Sequence, residues 1–139
     1  MKCNFTYPIQ VYPHQTDYAG VVWHGAYVNW MEEVRVAYLE SLGMTYAGVM
    51  EQGCDLMVVD LSLRYKRAAK MGDRLVWLAI VHPLEGVRSV WDYELRSLDH
   101  QILYVTAQVT IVPVNPKTGK IMRQIPTVLA QILRGHCPN

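Results

Sequence analysis

The chain has 139 residues, 51% of them hydrophobic, and 13 Lys and Arg against 12 Asp and Glu give a formal net charge of +1. Such a length suits a single domain, here residues 1–139, with a moderate apolar core. The balanced charge argues against a nucleic-acid partner, and no apolar run reaches the roughly 18–20 residues that would span a membrane.

In chain order, a strand pattern comes first and a helix pattern follows it. Apolar residues alternate in FTYPIQVY, residues 5–12, which predicts a strand, and Pro8 indicates an edge strand or a bulge. Over about residues 25–42 the apolar spacing changes to three or four residues, which predicts an amphipathic helix. Its predicted apolar face consists of Val28, Met31, Val34, Tyr38, Leu39 and Leu42. Gly43 suits the end of this helix, and residues 45–52 predict a shorter one.

The remainder of the chain is strand-like. Segments rich in Val, Leu, Ile, Tyr and Trp predict four strands, at Asp55–Tyr65, Arg74–His82, Arg88–Ser97 and Ile102–Val114. The linkers PLEG and LDHQ are short enough for antiparallel hairpins, and residues 126–133 predict a short final helix. One long helix with a large antiparallel sheet is an α+β fold. Because the edges of such a sheet need a partner or a cover, we expect a homo-oligomer, a dimer or a tetramer.

A lone acid lies in the loop between the first strand and the long helix. In HQTDYAGVVWHGAY, residues 14–27, Asp17 lies among apolar and small residues, and Gly20 follows it. On residue chemistry alone, Asp17 is best explained as a turn or capping residue. The sequence has no HExxH, CxxC or GxSxG motif, and its five histidines lack the spacing of metal ligands. We therefore expect no metal and no cofactor.

The same stretch, continued as HQTDYAGVVWHGAYVNWMEEVR, resembles the hotdog-fold acyl-CoA thioesterases of the 4-hydroxybenzoyl-CoA thioesterase type. This family includes the Tol–Pal-cluster thioesterases and the 1,4-dihydroxy-2-naphthoyl-CoA thioesterases. Its pattern is an Asp, a Gly shortly after it, two or three apolar residues, a His or Tyr, a further Tyr and an acid in the helix. The matching residues are Asp17, Gly20, Val21, Val22, Trp23, His24, Tyr27 and Glu32 or Glu33. The segment LSLRYKRAAKMGDRL, residues 61–75, resembles a second family motif, with Arg67-Ala68-Ala69 where a proline is common.

The resemblance implies a hotdog domain, in which a curved five-stranded antiparallel sheet wraps a long helix. It implies an enzyme that hydrolyses an acyl or aroyl thioester to CoA and a carboxylic acid. Asp17 would be the general base or the nucleophile, and a backbone N–H at the helix start near His24 would stabilise the oxyanion. The His24 side chain would orient substrate or water, and Gly25 would let the acyl group approach the backbone. Trp23 and Tyr27 are candidates for the pocket wall.

The resemblance also places CoA at a subunit interface. Arg64 and Arg67 are candidates for contacts with its phosphates, because guanidinium groups bind phosphate through paired hydrogen bonds. Lys120 and Arg123 in NPKTGKIMR are further candidates. A solvated surface is the alternative interpretation of the basic cluster at residues 64–70, to which Arg64 and Arg67 belong.

Two alternative functions stay open on the sequence. One is a hydratase or dehydratase of acyl thioesters on the same fold, and the other is an acyl-thioester-binding protein without activity. We expect a cytoplasmic location, because MKCNFTYPIQVYP lacks the apolar segment of a signal peptide. Cys3, Cys54 and Cys137 are odd in number and far apart, which argues against a disulfide framework and fits a reducing compartment.

Overall fold

A computed structural model describes residues 3–134, so Cys137 and both ends of the predicted domain lie outside the described residues. The helices are α1, His24–Ser41; α2, Tyr46–Glu51; and α3, Thr127–Ile132. The strands are β1, Cys3–Gln10; β2, Asp55–Tyr65; β3, Arg74–Val81; β4, Ser89–Ser97; and β5, Leu103–Val114. Each predicted helix and strand is confirmed, with ends that differ from the prediction by two residues or fewer. None of the helices in residues 3–134 has the length and apolar character needed to cross a membrane.

The strands form one antiparallel sheet in the order β1-β3-β4-β5-β2. The hairpins β3–β4 and β4–β5 confirm the prediction from the PLEG and LDHQ linkers. Pro8 lies on the edge strand β1, where it is paired with Val76 of β3. An edge position suits proline because it has no N–H to donate to a second neighbour. The α+β class with five antiparallel strands and one long helix is confirmed.

Helix α1 packs against one face of the sheet through aromatic side chains. The ring of Trp30 lies 6.4 Å from that of Trp77 on β3, and the ring of Tyr38 lies 5.0 Å from that of Trp91 on β4. Each large buried ring removes a large apolar area from water. These contacts fix the helix along the sheet, and they thereby fix the position of its N-terminal end.

The buried face of α1 differs at one end from the predicted face. Four predicted residues are buried, namely Met31, Val34, Tyr38 and Leu39. Val28, by contrast, is 37% exposed, whereas Tyr27 and Trp30 are buried, so the prediction for Val28 is wrong. The reason is that the rings at positions 27 and 30 bury more apolar surface than one valine, and the helix turns them toward the sheet.

Strand β2 exposes a row of apolar side chains at the edge of the sheet. The residues of this row are between 39% and 44% exposed, and they are Met57, Val58, Val59 and Leu61. Among residues 3–134, β2 pairs on one side only, with β5, and the register of that pairing shifts between Val58 and Asp60. An apolar edge with unpaired backbone groups is the kind of surface that a second strand covers.

Candidate active site

The side chain of Asp17 holds the turn that precedes α1. Its Oδ1 accepts hydrogen bonds from the N–H groups of Ala19, at 2.9 Å, and Val21, at 3.1 Å. The Asp17 N–H donates to the Val21 carbonyl at 2.7 Å, and Gly20 has the left-handed φ of +78° that the turn requires. The turn interpretation of Asp17 is therefore right for its local structure. Its Oδ2 accepts no hydrogen bond within residues 3–134, and the residue is exposed.

The turn is attached to the second segment that resembles the family motif. The Val22 N–H donates to the Ala69 carbonyl at 2.9 Å, and the Met71 N–H donates to the Gly20 carbonyl at 3.0 Å. These bonds join two stretches that are about fifty residues apart in the chain. Because Val22 also leads directly into α1, the attachment positions the start of the helix.

Helix α1 begins with free backbone donors. Trp23 is its N-cap, with an extended backbone, and the Trp23 carbonyl accepts from the Ala26 N–H at 3.0 Å. The N–H groups of His24 and Gly25 have no acceptor in the part of the chain that the structure describes. The first N–H groups of a helix carry the positive end of its dipole, so this point attracts a developing negative charge.

A cavity of about 350 Å³ lies beside the helix start. Its lining residues are Val21, Val22, His24, Tyr27, Tyr65, Lys66, Arg67 and Ala68. The rings of Tyr27 and Tyr65 are 5.3 Å apart and form one wall. Burial raises the pKa of Tyr27, and this phenol therefore stays neutral at physiological pH. The cavity combines apolar walls, an aromatic surface and a basic rim.

The structure brings only some of the predicted site residues to this cavity. His24, Tyr27 and Arg67 line it, whereas Asp17 and Trp23 do not. Asp17 is nonetheless joined to the lining by its 2.7 Å hydrogen bond to Val21. Trp23 is 43% exposed and packs edge-to-face on the His24 ring.

The four predicted CoA contacts are not brought together within the chain. Arg64 is opposite Thr106 on β5, and because side chains alternate along a strand, it points to the opposite face from Tyr65. Lys120 and Arg123 line a separate, open cavity formed by residues 115–127. Their roles stay predictions, and Arg67 is the one of the four that borders the candidate site.

Tyr65 is a site residue that the sequence analysis did not single out. The sequence shows one signal for its side of the strand, since the apolar residues Leu61, Leu63 and Tyr65 alternate with polar ones. Leu63 and Tyr65 are opposite Ala107 and Val105, and Val105 belongs to the buried core. Two positions that face the core on β5 therefore place Tyr65 on the same side of the sheet as α1.

The space over Gly25 is filled by Trp23. A Cβ atom at position 25 would lie 2.1 Å from the nearest carbon of the Trp23 indole. The approach of an acyl group to the backbone at Gly25 stays a prediction, and the structure shows the indole of Trp23 packed there. The glycine lets the Trp23 ring fold back over the helix start.

Gly25→Ala is expected to destabilise the wild-type protein and to stabilise a Trp23→Ala variant. In the wild type, the new methyl group has to displace the indole, whereas without the indole alanine is the better helix residue by about 0.5–1 kcal/mol. Denaturant unfolding of the wild type, both single variants and the double variant measures the two effects. Simple additivity of the two substitutions would contradict the contact between Trp23 and position 25.

Comparison with known proteins assigns the family. Residues 19–104 match the sequence pattern of the Thioesterase superfamily. The chain belongs to the thioesterase superfamily. The matched region begins two residues after Asp17, and it contains the whole of α1 and every residue that lines the cavity.

Individual relatives agree with this membership. The chain is 41% identical to a Synechocystis protein provisionally named an esterase, over 93% of this chain and 78% of that one. It is 30% identical to an acyl-CoA thioesterase of Haemophilus influenzae, over 78% and 81% of the two chains. The crystal structure of a 1,4-dihydroxy-2-naphthoyl-CoA thioesterase from Synechocystis superposes with a TM-score of 0.85 at 26% identity, covering 94% and 95%.

Three predictions are thereby confirmed, namely the family, the hotdog fold and a thioester hydrolase as the class of enzyme. The prediction that no metal or cofactor is needed stays a prediction. Within residues 3–134, no three His, Cys, Asp or Glu side chains are grouped so that they could hold a metal ion.

Proposed function

We propose that the protein hydrolyses acyl or aroyl thioesters of coenzyme A to free CoA and a carboxylic acid. One observation carries the proposal. The exposed carboxylate of Asp17 has an oxygen without a hydrogen bond among residues 3–134, and the N–H groups of His24 and Gly25, within eight positions of it, also lack an acceptor there, next to the lining of an apolar cavity. The names of the relatives, an acyl-CoA thioesterase and a 1,4-dihydroxy-2-naphthoyl-CoA thioesterase among them, support the same reaction.

In this proposal the two oxygens of Asp17 have different tasks. Oδ1 holds the turn, and Oδ2 either attacks the thioester carbon or takes a proton from the attacking water. In the first route the new C–O bond forms and leaves the negative charge on the carbonyl oxygen, the C–S bond then breaks to give a mixed anhydride, and water hydrolyses the anhydride. In the second route water supplies the oxygen directly. Both routes release CoA as the thiolate and the acyl group as an acid.

The helix start would stabilise the charge that develops on the carbonyl oxygen. The N–H groups of His24 and Gly25 are fixed donors, and the loss of one such donor typically raises a barrier by about 3–4 kcal/mol. The His24 side chain lines the cavity, where it would orient the substrate or water. The tyrosine wall of Tyr27 and Tyr65 favours a flat aroyl group, because rings stack on rings.

Family membership favours hydrolysis over the two alternatives that the sequence leaves open. An α,β-unsaturated acyl-CoA separates the three functions in one experiment. A thioesterase releases a thiol, a hydratase consumes the double bond and keeps the thioester, and a binding protein changes neither. We expect thiol release, and loss of the double bond with an intact thioester would contradict the proposal.

Arg67→Gln is expected to raise KM for an acyl-CoA roughly tenfold or more and to leave kcat nearly unchanged. Arg67 borders the cavity, and a charge-assisted hydrogen bond to a phosphate contributes about 1.5–3 kcal/mol of binding. Arg88→Gln is the matched control, since Arg88 is exposed in the turn between β3 and β4 and does not line the cavity, so its loss should not change KM. Equal effects of the two substitutions on KM would contradict the assignment.

A homodimer through β2 is part of the proposal. The exposed apolar row and the unpaired edge of β2 lie on the same strand as Tyr65, so a second copy paired there would border the cavity. A tetramer of two such dimers stays a prediction. So does a cytoplasmic location, with which the free, fully buried thiol of Cys54 is consistent.

Val59→Lys is expected to convert the dimer to a monomer. A lysine on an edge strand is a common obstacle to strand pairing, and Val59 lies at the register shift of β2. Val128→Lys on α3 is the control, because Val128 is 44% exposed and Val59 is 41% exposed. Sedimentation velocity measures the masses. A Val59→Lys protein that sediments as the wild type would contradict the β2 interface.

A further inference from the structure

A second cavity, away from the helix start, contains an incompletely bonded arginine. It has a volume of about 200 Å³ and lies between α1, the start of α2 and the sheet. Its lining residues are Glu32, Arg35, Val36, Leu39, Tyr46, Leu56, Val58, Trp91 and Ile111. None of these residues lines the cavity at the helix start. Arg35 is eleven residues beyond His24, which corresponds to roughly 16 Å along the axis of α1.

Most N–H donors of the Arg35 guanidinium have no acceptor among residues 3–134. Its Nη1 donates to the Tyr93 hydroxyl at a long 3.4 Å, and it forms no ion pair with a carboxylate of residues 3–134. The Tyr93 hydroxyl donates in turn to the Met31 carbonyl at 3.3 Å. Burial raises the pKa of Tyr93 to about 12, so this phenol does not neutralise the guanidinium. A guanidinium has five N–H donors, and a partly buried one is stabilised by an anionic acceptor.

The other polar groups of this cavity are engaged or at its rim. The Tyr46 hydroxyl is hydrogen-bonded to Asp55 Oδ1, which also accepts from the Leu56 N–H at 2.8 Å. Glu32 is exposed and is not paired with Arg35. The remaining lining side chains are apolar or aromatic. An anionic ligand would therefore meet one free cation, Arg35, and one opposing charge, Glu32.

We propose that this cavity binds a small carboxylic acid with an apolar body, whose carboxylate pairs with Arg35. The paired geometry of guanidinium and carboxylate gives this ligand two parallel hydrogen bonds. A cavity of about 150 Å³ holds one benzene ring, so about 200 Å³ suits a single-ring aromatic acid or a short aliphatic one. Binding of the acid does not require thioester hydrolysis, so a binding measurement without any thioester can test the site.

Benzoate and benzyl alcohol are suitable probes, because they share the ring and differ in charge. Isothermal titration calorimetry on the full chain should show benzoate binding at least tenfold tighter than benzyl alcohol. Arg35→Gln should remove this preference, since it removes the charge-assisted pair. Glu32→Gln should tighten benzoate binding by a fewfold because it removes the opposing charge. Arg67→Gln, which alters the other cavity, should leave benzoate binding unchanged.

Equal binding of the two probes to the wild type would overturn the proposal, and so would unchanged benzoate affinity in Arg35→Gln. Loss of benzoate binding in Arg67→Gln would also overturn it, because the acid would then occupy the cavity at the helix start. Val36→Phe provides a second variant that keeps the guanidinium and fills the cavity. It should abolish binding of both probes, and retained benzoate binding in a folded Val36→Phe protein would contradict the site.

Discussion

Asp17→Asn is expected to lower kcat for acyl-CoA hydrolysis by about 10²–10⁴-fold, the usual contribution of a positioned general base or nucleophile. The amide oxygen of Asn can still accept the hydrogen bonds that Oδ1 of Asp17 takes from Ala19 and Val21. The turn and the helix start should therefore survive, while the free carboxylate oxygen is lost. Steady-state thiol release measures the effect, and thermal unfolding confirms that the variant is folded.

Asp73→Asn is the matched control for Asp17→Asn. Asp73 also holds a tight turn, because its Oδ2 accepts from the Lys70 N–H at 2.9 Å, but it does not line the cavity. Its kcat should equal that of the wild type. Equal losses in the two variants would show that a turn aspartate matters for structure alone, and would contradict a catalytic role for Asp17.

Trp77→Ala is expected to lower the free energy of unfolding by about 3–5 kcal/mol, as large-to-small changes of buried aromatic residues do. Trp77 is fully buried, and its ring lies 6.4 Å from Trp30 and 5.9 Å from Tyr93. Its removal would leave a void between α1 and the centre of the sheet. Denaturant unfolding at a fixed protein concentration measures the loss, since oligomerisation would otherwise shift the midpoint.

Trp77→Phe separates packing from hydrogen bonding at the same position. The Trp77 Nε1–H is buried and has no hydrogen-bond partner within residues 3–134. A buried unpaired donor costs about 1–3 kcal/mol, so its removal offsets part of the lost ring volume. We expect Trp77→Phe to change stability by less than about 1 kcal/mol. A loss as large as that of Trp77→Ala would contradict this account of the core.

The elements of the fold were predictable because each has a strong local pattern. Alternating apolar residues mark the strands, and the hairpin linkers are short enough to dictate antiparallel neighbours. The place of β2 was not predictable in this way. It lies at the far edge beside β5, although β3 follows it in the chain. The paired residues of β2 and β5 are between 40 and 59 positions apart in the chain. The local spacing of apolar residues does not specify a partner at that distance.

The site was predictable in part for a similar reason. The turn after Asp17 and the start of α1 were predictable from residue spacing, because both are formed by hydrogen bonds between residues that are close in the chain. Tyr65 reaches the cavity from a strand about forty residues away, so only the tertiary structure brings it to Tyr27. The packing of Trp23 over Gly25 depends on a side-chain rotamer, for which residue spacing contains no information.

A single-turnover reaction of excess enzyme with an aroyl-CoA directly tests whether Asp17 takes part in thioester hydrolysis. Quenched samples of the wild type, Asp17→Asn and Asp73→Asn are assayed for both products. We expect CoA and the free acid to appear in equal amounts, at rates that are alike for the wild type and Asp73→Asn and far slower for Asp17→Asn. Equal rates in all three proteins would contradict the assignment of Asp17, and the absence of CoA release from aroyl and aliphatic thioesters would contradict hydrolysis itself.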